Sequence, residues 1–332
     1  MDCKSVFFKL ICNRPTERLL FHFPNQHSRS ALLFTFYFLL WNFYFGISTS
    51  FAQSTFFTSS DSLNIKRSIG INTLYAGVWS GSLWMLDKAW YKDYPQSKFH
   101  FFNDNNEWLQ MDKCGHMFTA YHISKSITSI YRWTGMSKKQ SVLFGTSIAI
   151  GYQTSIECLD GISTEWGFSW GDELSNISGG LLYGIQQYFW DKQFILLKES
   201  YSPSSYAPIR PKVLGSNFAE RYLKDYNGQT YWLSFAPKNI WKSSTIPAWL
   251  LLSFGYSIDA KLVGDENTFT TQNNITYNAS REFLFSFDID LSKLPIKRKW
   301  VKNILKPINA IKIPLPALRW KNGICYGHGL YF

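Results

Sequence analysis

The sequence predicts an α+β protein, an N-terminal bundle of about four helices followed by a small antiparallel β-rich region. Apolar residues recur at helical spacing up to about residue 200, and beyond Pro203, Pro208 and Pro211 they alternate instead. Hydrophobic residues make up 45% of the chain and aromatics 18%, enough for a packed core and against a disordered chain. The expected divisions are a signal segment at 1–52, a helical domain at 53–200, a linker at 201–217 and a β-rich region with a basic segment at 218–332.

The N-terminus has the layout of a secretory signal. Basic residues up to Arg29 precede the uncharged apolar run Ala31 to Phe45, and small residues follow through Ser50 and Ala52. Cleavage is expected after Ala52, with an uncleaved anchor as the alternative. It would remove five basic and two acidic residues and lower the formal charge from +11 to +8.

The first helical segment, Ser68 to Leu86, carries no charge, and its Gly77-x-x-x-Gly81 spacing would let another helix approach closely. It is barely long enough to span a bilayer, and a buried core helix explains it equally well. A polar, aromatic connection, Tyr91 to Leu109, leads to a second helix from about Asp112 to Trp133. Ser137 and Gln140 form a capping box opening a third, which should run to about Leu159 and stop at Gly161. A fourth should begin near Asp172, whose carboxylate suits the positive N-terminal end. Gly179, Gly180 and Gly184 give it a thin face.

In the β-rich part, Asn227-Gly228 signals a hairpin between Tyr222–Tyr226 and Thr230–Phe235. Trp249 to Tyr256 is a further strand. Glu282 to Leu291 alternates most clearly, with Phe283, Phe285 and Phe287 on one face and Ser286, Asp288 and Asp290 on the other. Gly323 to Phe332 closes the chain as a strand, and Asp265 to Ser280 reads as an extended loop. The pattern leaves open whether the sheet's apolar face meets the helices or a lipid surface. Five or six strands are too few for an outer-membrane barrel.

The polar chemistry gathers in the helical part. Asp112 and His116 are four apart, Glu157 and Asp160 three apart, and Asp172 and Asn176 four apart, so three helices could each turn two polar groups toward one point. Asp112, His116 and Glu157 are the candidate catalytic residues, with a carboxylate orienting the imidazole for acid or base work. Lys113, Asp160, Asp172 and Asn176 are candidate binding residues. Asp112, His116, Glu157 and Asp172 together form an oxygen-rich set with one nitrogen that suits a divalent metal, although no cofactor is required by the sequence. The plain alternative is that these groups satisfy one another and only fix helix register. Gln186 and Gln187 fit any of these roles, and Trp166, Phe168 and Trp170 are expected to anchor their loop. Neither His-Glu-x-x-His, Gly-x-Ser-x-Gly nor a phosphate-binding glycine loop occurs.

Asp112-Lys-Cys-Gly-His116, Glu157-Cys-Leu-Asp160 and Gly167-Phe-Ser-Trp-Gly-Asp172, leading on to Asn176 and Gly180, also carry a resemblance. Over roughly residues 68 to 195 the chain resembles the domain of unknown function 2279, a family of predicted periplasmic lipoproteins, and more distantly the VanZ-like membrane proteins. The resemblance implies a bacterial envelope protein and no particular reaction. A lipoprotein needs a Cys just after its hydrophobic segment, whereas Cys3 and Cys12 both precede it, which argues against lipid anchoring.

Nine cations from Lys293 to Lys321, with no acidic residue among them, and Trp300, Val301, Ile304 and Leu305 at helical spacing, suit an anionic membrane surface or form a plain solvated face. The expected partner is a membrane lipid or cell-envelope intermediate rather than nucleic acid. Cys114, Cys158 and Cys325 would remain after cleavage, with Cys114 and Cys158 read as buried free thiols more readily than as a bridge.

Overall fold

The structure is a computed structural model and describes residues 58–87, 95–241 and 245–332. The signal segment, its cleavage site, Cys3 and Cys12 lie outside these residues. The architecture is α+β, with a helical bundle leading into a six-stranded antiparallel sheet. Among the described residues, no helix is long and apolar enough to cross a membrane.

Helix α1 (Ile65–Leu86) starts at an Asn64 N-cap, whose side chain accepts from the Arg67 amide. The bundle proper is α2 (Met111–Trp133), α3 (Lys138–Asp160) and α4 (Trp170–Trp190), each packed on the other two. Ser137 caps α3 and shares a hydrogen bond with Gln140, as the capping-box reading expected, and Ser169 caps α4. The thin face of α4 is used. A Cβ at Gly179 would lie 2.0 Å from the Met117 carbonyl oxygen on α2, so only glycine permits that approach.

α1 departs from expectation. Only Ile71 and Ser82 are buried along it, and among the described residues nothing outside the helix's own backbone approaches within 4 Å of where a Cβ would stand on Gly77 or Gly81. Its contact with the bundle runs instead through Ile71, packed with Ile127 and Tyr131, and the hydrogen bond from Tyr131 to Asn72. A buried core helix is therefore the wrong description.

The sheet runs in the order β1 (Ile195–Tyr201), β2 (Gln229–Phe235), β3 (Leu250–Asp259), β6 (Ser280–Ile289), β7 (Leu315–Lys321) and β8 (Ile324–Tyr331). A separate hairpin, β4 (Thr268–Thr270) and β5 (Thr276–Asn278), occupies the expected loop at Asp265 to Ser280. Four short helices complete the chain, α5 (Pro211–Leu214), α6 (Phe218–Lys224), α7 (Pro237–Ile240) and α8 (Lys299–Ile308).

The expected Asn227-Gly228 hairpin does not form. Asn217 caps α6 by accepting from the Glu220 amide, so Tyr222 lies on a helix. Asn227 meanwhile accepts from the Lys261 amide and donates to its carbonyl oxygen, and this turn leads into β2 from the helix. Tertiary partners for the Asn side chain outcompeted the local turn.

The sheet docks on α2 along one corner. Leu197 joins Tyr121 and Tyr183, Phe118 packs against Tyr231, and Ile258 joins Leu109 and Met111. Gln186 accepts from the Phe194 and Ile195 amides at 2.7 and 2.8 Å, which ties the end of α4 to the start of β1. That places Gln186 in the scaffold.

Candidate functional site: a carboxylate cluster between three helices

Trp108, Leu109 and Gln110, immediately before α2, all have positive φ, at 45°, 51° and 66°. Such backbone costs about 1–3 kcal/mol per residue unless its surroundings enforce it. The sheet side enforces it here. The Tyr256 hydroxyl donates to the Leu109 carbonyl, Arg281 donates to the Gln110 side chain at 2.6 Å, and the Trp108 amide donates to Gly264. The turn delivers Asp112, Lys113 and His116 on the first turns of α2 toward the end of α3 and the start of α4.

Lys113 sits among three carboxylates, 2.7 Å from Asp104, 2.9 Å from Asp112 and 3.0 Å from Asp172. Burial works against its charge, but Asp112, Asp172 and Asp104 outweigh that and hold its pKa well above the usual lysine value. Ser169 links this group to the α4 N-terminus. Its hydroxyl donates to Asp104 and accepts from the Asp172 amide.

His116 lies beside it, its side chain a quarter exposed. Its Nδ1 is 3.1 Å from Asn176 Oδ1 and 3.6 Å from Glu157 Oε1, and its Nε2 is 4.0 Å from Asp172 Oδ1. Gln153 donates to the same Asn176 oxygen at 3.1 Å, so that oxygen is an acceptor and Nδ1 carries the imidazole proton. Nε2 is left with its lone pair. Burial, against the pull of Asp112 and Asn176, lowers the His116 pKa and keeps the ring neutral.

The carboxyls go the other way. Burial, then the charges of Asp172 and Asp160, push Glu157 up to about 9. Burial, the hydrogen bond with Asp104 and the charge of Asp112 push Asp172 up to about 8. Asp104 is held low: burial opposes this, but hydrogen bonds with Asp172, Lys113 and Ser169 prevail, so of this pair Asp172 keeps the proton. Asp112 Oδ1 and Glu157 Oε1 are buried and make no hydrogen bond among the described residues, while Asp172 Oδ1 faces the Lys113 ammonium at 3.0 Å.

His116, Glu157 and Asp172 each place one ligand atom so that all lie within 4.8 Å of one another, and Asp104, Asp112 and Asp172 form a second such group. Lys113 fills the second. The first combines an imidazole with two carboxyls that burial and neighbouring negative charge hold protonated, and a divalent cation could take the place of those protons.

The structure thus brings Asp112, Lys113, His116, Glu157, Asp172 and Asn176 together. Asp160, half-buried at the last residue of α3, provides no ligand atom to either group and acts on Glu157 through its charge. Sequence reasoning missed Asp104, Gln153 and Ser169. Gln153 had a legible signal, one helical turn before Glu157, and Ser169 had the N-cap position. Asp104 lies in an irregular segment and had none. Of the loop aromatics, Phe168 is buried against Phe99 and Phe101, whereas Trp170 is exposed and stacks on Phe101. Among the described residues Cys114, Cys158 and Cys325 are free thiols, and Cys158 is exposed rather than buried.

A family model described as a predicted periplasmic lipoprotein (DUF2279) matches residues 100–185, the stretch that holds the whole cluster. No curated protein and no solved structure matches the chain, and the VanZ-like resemblance finds no support. The cluster therefore lies within a segment similar to a family of predicted periplasmic lipoproteins.

Proposed function

We propose that this is an exported bacterial cell-envelope protein whose helical bundle holds a divalent cation at His116, Glu157 and Asp172, and through it an anionic lipid or cell-wall intermediate. The family description supports the location. The observation that carries the cation is the buried Glu157 Oε1, without a hydrogen bond among the described residues, in a group whose ligand atoms from His116, Glu157 and Asp172 all lie within 4.8 Å of one another. A network serving helix register alone accounts for Lys113 and its three carboxylates, but leaves this oxygen unexplained.

The test is calorimetric titration of the chain with Zn²⁺ and with Mn²⁺, then of the loaded protein with phosphatidylglycerol nanodiscs. Saturable cation binding that Glu157→Gln weakens, followed by cation-dependent lipid binding, supports the reading. Lipid binding that is indifferent to the cation, or no cation binding, overturns it. An enzymatic reading is favoured by one observation, a Glu157 carboxyl protonated up to about 9 beside neutral His116, which could serve as acid and base. Turnover of a phosphate- or glycan-bearing lipid that His116→Ala abolishes would distinguish it.

A further inference from the structure

The sheet turns many polar side chains inward and large apolar ones outward. On one set of alternating positions Ser234, Ser253, Ser257, Glu282, Ser286 and Asp288 are all 3% exposed or less. On the other set Leu233, Phe254, Phe283, Phe287, Leu318 and Trp320 are between 40% and 56% exposed. The exposed residues are cross-strand neighbours. Leu233, Phe254, Phe285 and Leu318 form one row across four strands, and Tyr256, Phe283 and Trp320 form another.

The buried face is enclosed and carries these polar groups beside Trp232, Leu251 and Leu284, each 2% exposed or less. Lys198 and Asp288 pair at 2.7 Å with both side chains fully buried, and Arg319 reaches Glu282 at 3.4 Å. The sheet rolls far enough for Tyr331 on β8 to meet Thr230 on β2 at 3.2 Å. Residues Ala310 to Lys312 cover the free side of β1, since the Glu199 amide donates to Ala310 and the Lys312 amide donates to Glu199. An antiparallel sheet in water buries its apolar face and wets its polar one. Large apolar side chains turned outward, opposite a face rich in buried polar groups, follow the pattern of strands that face lipid.

Charge at the rim agrees. β6 ends at Ile289 and β7 begins at Leu315, so the connection that contains α8 lies at the sheet end carrying Phe235, Leu252 and Phe287. Along it Lys293, Lys297, Arg298, Lys302 and Lys306 are exposed, with Trp300 beside them. The nine-cation run divides here: Lys312 is buried, while Arg319 and Lys321 pair with Glu282 and Asp259. What stays free is a basic, tryptophan-bearing edge of the kind that sits among anionic headgroups. β3 and β6, at ten residues each, have the length of strands that cross a hydrocarbon layer.

We propose that the exposed aromatic face of the sheet lies against the acyl chains of an anionic bilayer, with the α8 connection at its headgroups. This surface is independent of the cation site between the helices.

Nitroxide labels at Phe254→Cys, Phe287→Cys and Leu318→Cys, in a full chain with Cys114, Cys158 and Cys325 replaced by Ser, provide the test. A label at Asn273→Cys, in the exposed β4–β5 turn, is the reference. In phosphatidylglycerol/phosphatidylethanolamine liposomes the three sheet labels should gain oxygen collisions and lose collisions with a water-soluble nickel chelate, while the reference stays water-like. Replacing Lys297, Arg298, Lys302 and Lys306 with Gln should weaken vesicle binding by about fivefold per charge removed. Sheet labels that remain water-like in liposomes, or no vesicle association, overturn the proposal. So do labels that become shielded without lipid in step with protein concentration, which would make the occupant a second copy of the chain. Three separate label sites keep the result readable if one variant misfolds.

Discussion

His116 Nδ1 and Asn176 Oδ1, on different helices and sixty residues apart in sequence, meet at 3.1 Å, and this contact decides which imidazole nitrogen is free. Asn176 is fully buried and also receives Gln153. Asn176→Ala strands two donors and should destabilise the fold by about 1–3 kcal/mol. Because the ring loses its orientation, cation affinity should fall by about 10- to 100-fold, a larger effect than stability alone produces. Thermal melts and calorimetric titration on the same variant check both.

Glu157→Gln separates a ligand from a charged strut. The native carboxyl is protonated up to about 9, so Gln reproduces its neutral state at pH 7. In chelator-treated protein the variant should melt within about 0.5 kcal/mol of wild type, as a substitution that disturbs no packing does. It should lose the stabilisation that added cation gives wild type. A drop of about 3–5 kcal/mol without cation would instead mark Glu157 as one half of a buried ion pair.

The close approach of α2 and α4 gives a paired prediction. Gly179→Ala places a methyl 2.0 Å from the Met117 carbonyl oxygen and must move one helix, at a cost of about 1–3 kcal/mol. Gly70→Ala, on α1 with nothing among the described residues within 4 Å of the added methyl, should be neutral or stabilise by up to about 1 kcal/mol through helix propensity. The denaturant midpoint of Gly179→Ala should fall while that of Gly70→Ala holds or rises.

Glu199 on β1 makes stability depend on pH. Burial raises its pKa from 4.5 to about 7, although the Tyr222 hydroxyl donating to it at 2.8 Å works the other way. A carboxyl raised on folding binds its proton more tightly in the native state. Its contribution is full below pH 4.5 and lost as pH rises through 7. Relative to wild type, Glu199→Gln should therefore grow more stable between pH 4.5 and 7, by an amount on the order of 3 kcal/mol at most, and level off above. Melting curves across that range should show the divergence.

Asp288→Ala leaves Lys198 without its counter-ion inside the rolled sheet, where both side chains are fully buried. The loss should be about 3–5 kcal/mol. Lys198→Met in the same chain should recover much of it, because it removes the buried charge that Asp288→Ala leaves without a counter-ion. A double-mutant cycle in urea gives the coupling.

The helical half was legible because its signals are local. Ser137 and Gln140 cap a helix through atoms three residues apart, and Asp112 with His116 or Asp172 with Asn176 share a face by helical geometry alone. The same locality misled at Asn227, whose amide found Lys261 across the fold instead of closing a hairpin. Alternation along Ser280–Ile289 determined that phenylalanines and polar residues part to opposite faces, but alternation is symmetric and does not say which face is buried. Only the rolling of the sheet, which brings Tyr331 to Thr230 and seals Lys198 against Asp288, decided that the polar face turns inward. Asp104 entered the cluster in the same way, carried by an irregular segment that the strained turn before Met111 directs toward α4. Sequence set the side-chain periodicities, since they follow from backbone geometry. Tertiary packing chose among the burial patterns those periodicities allow, since burial depends on partners distant along the chain.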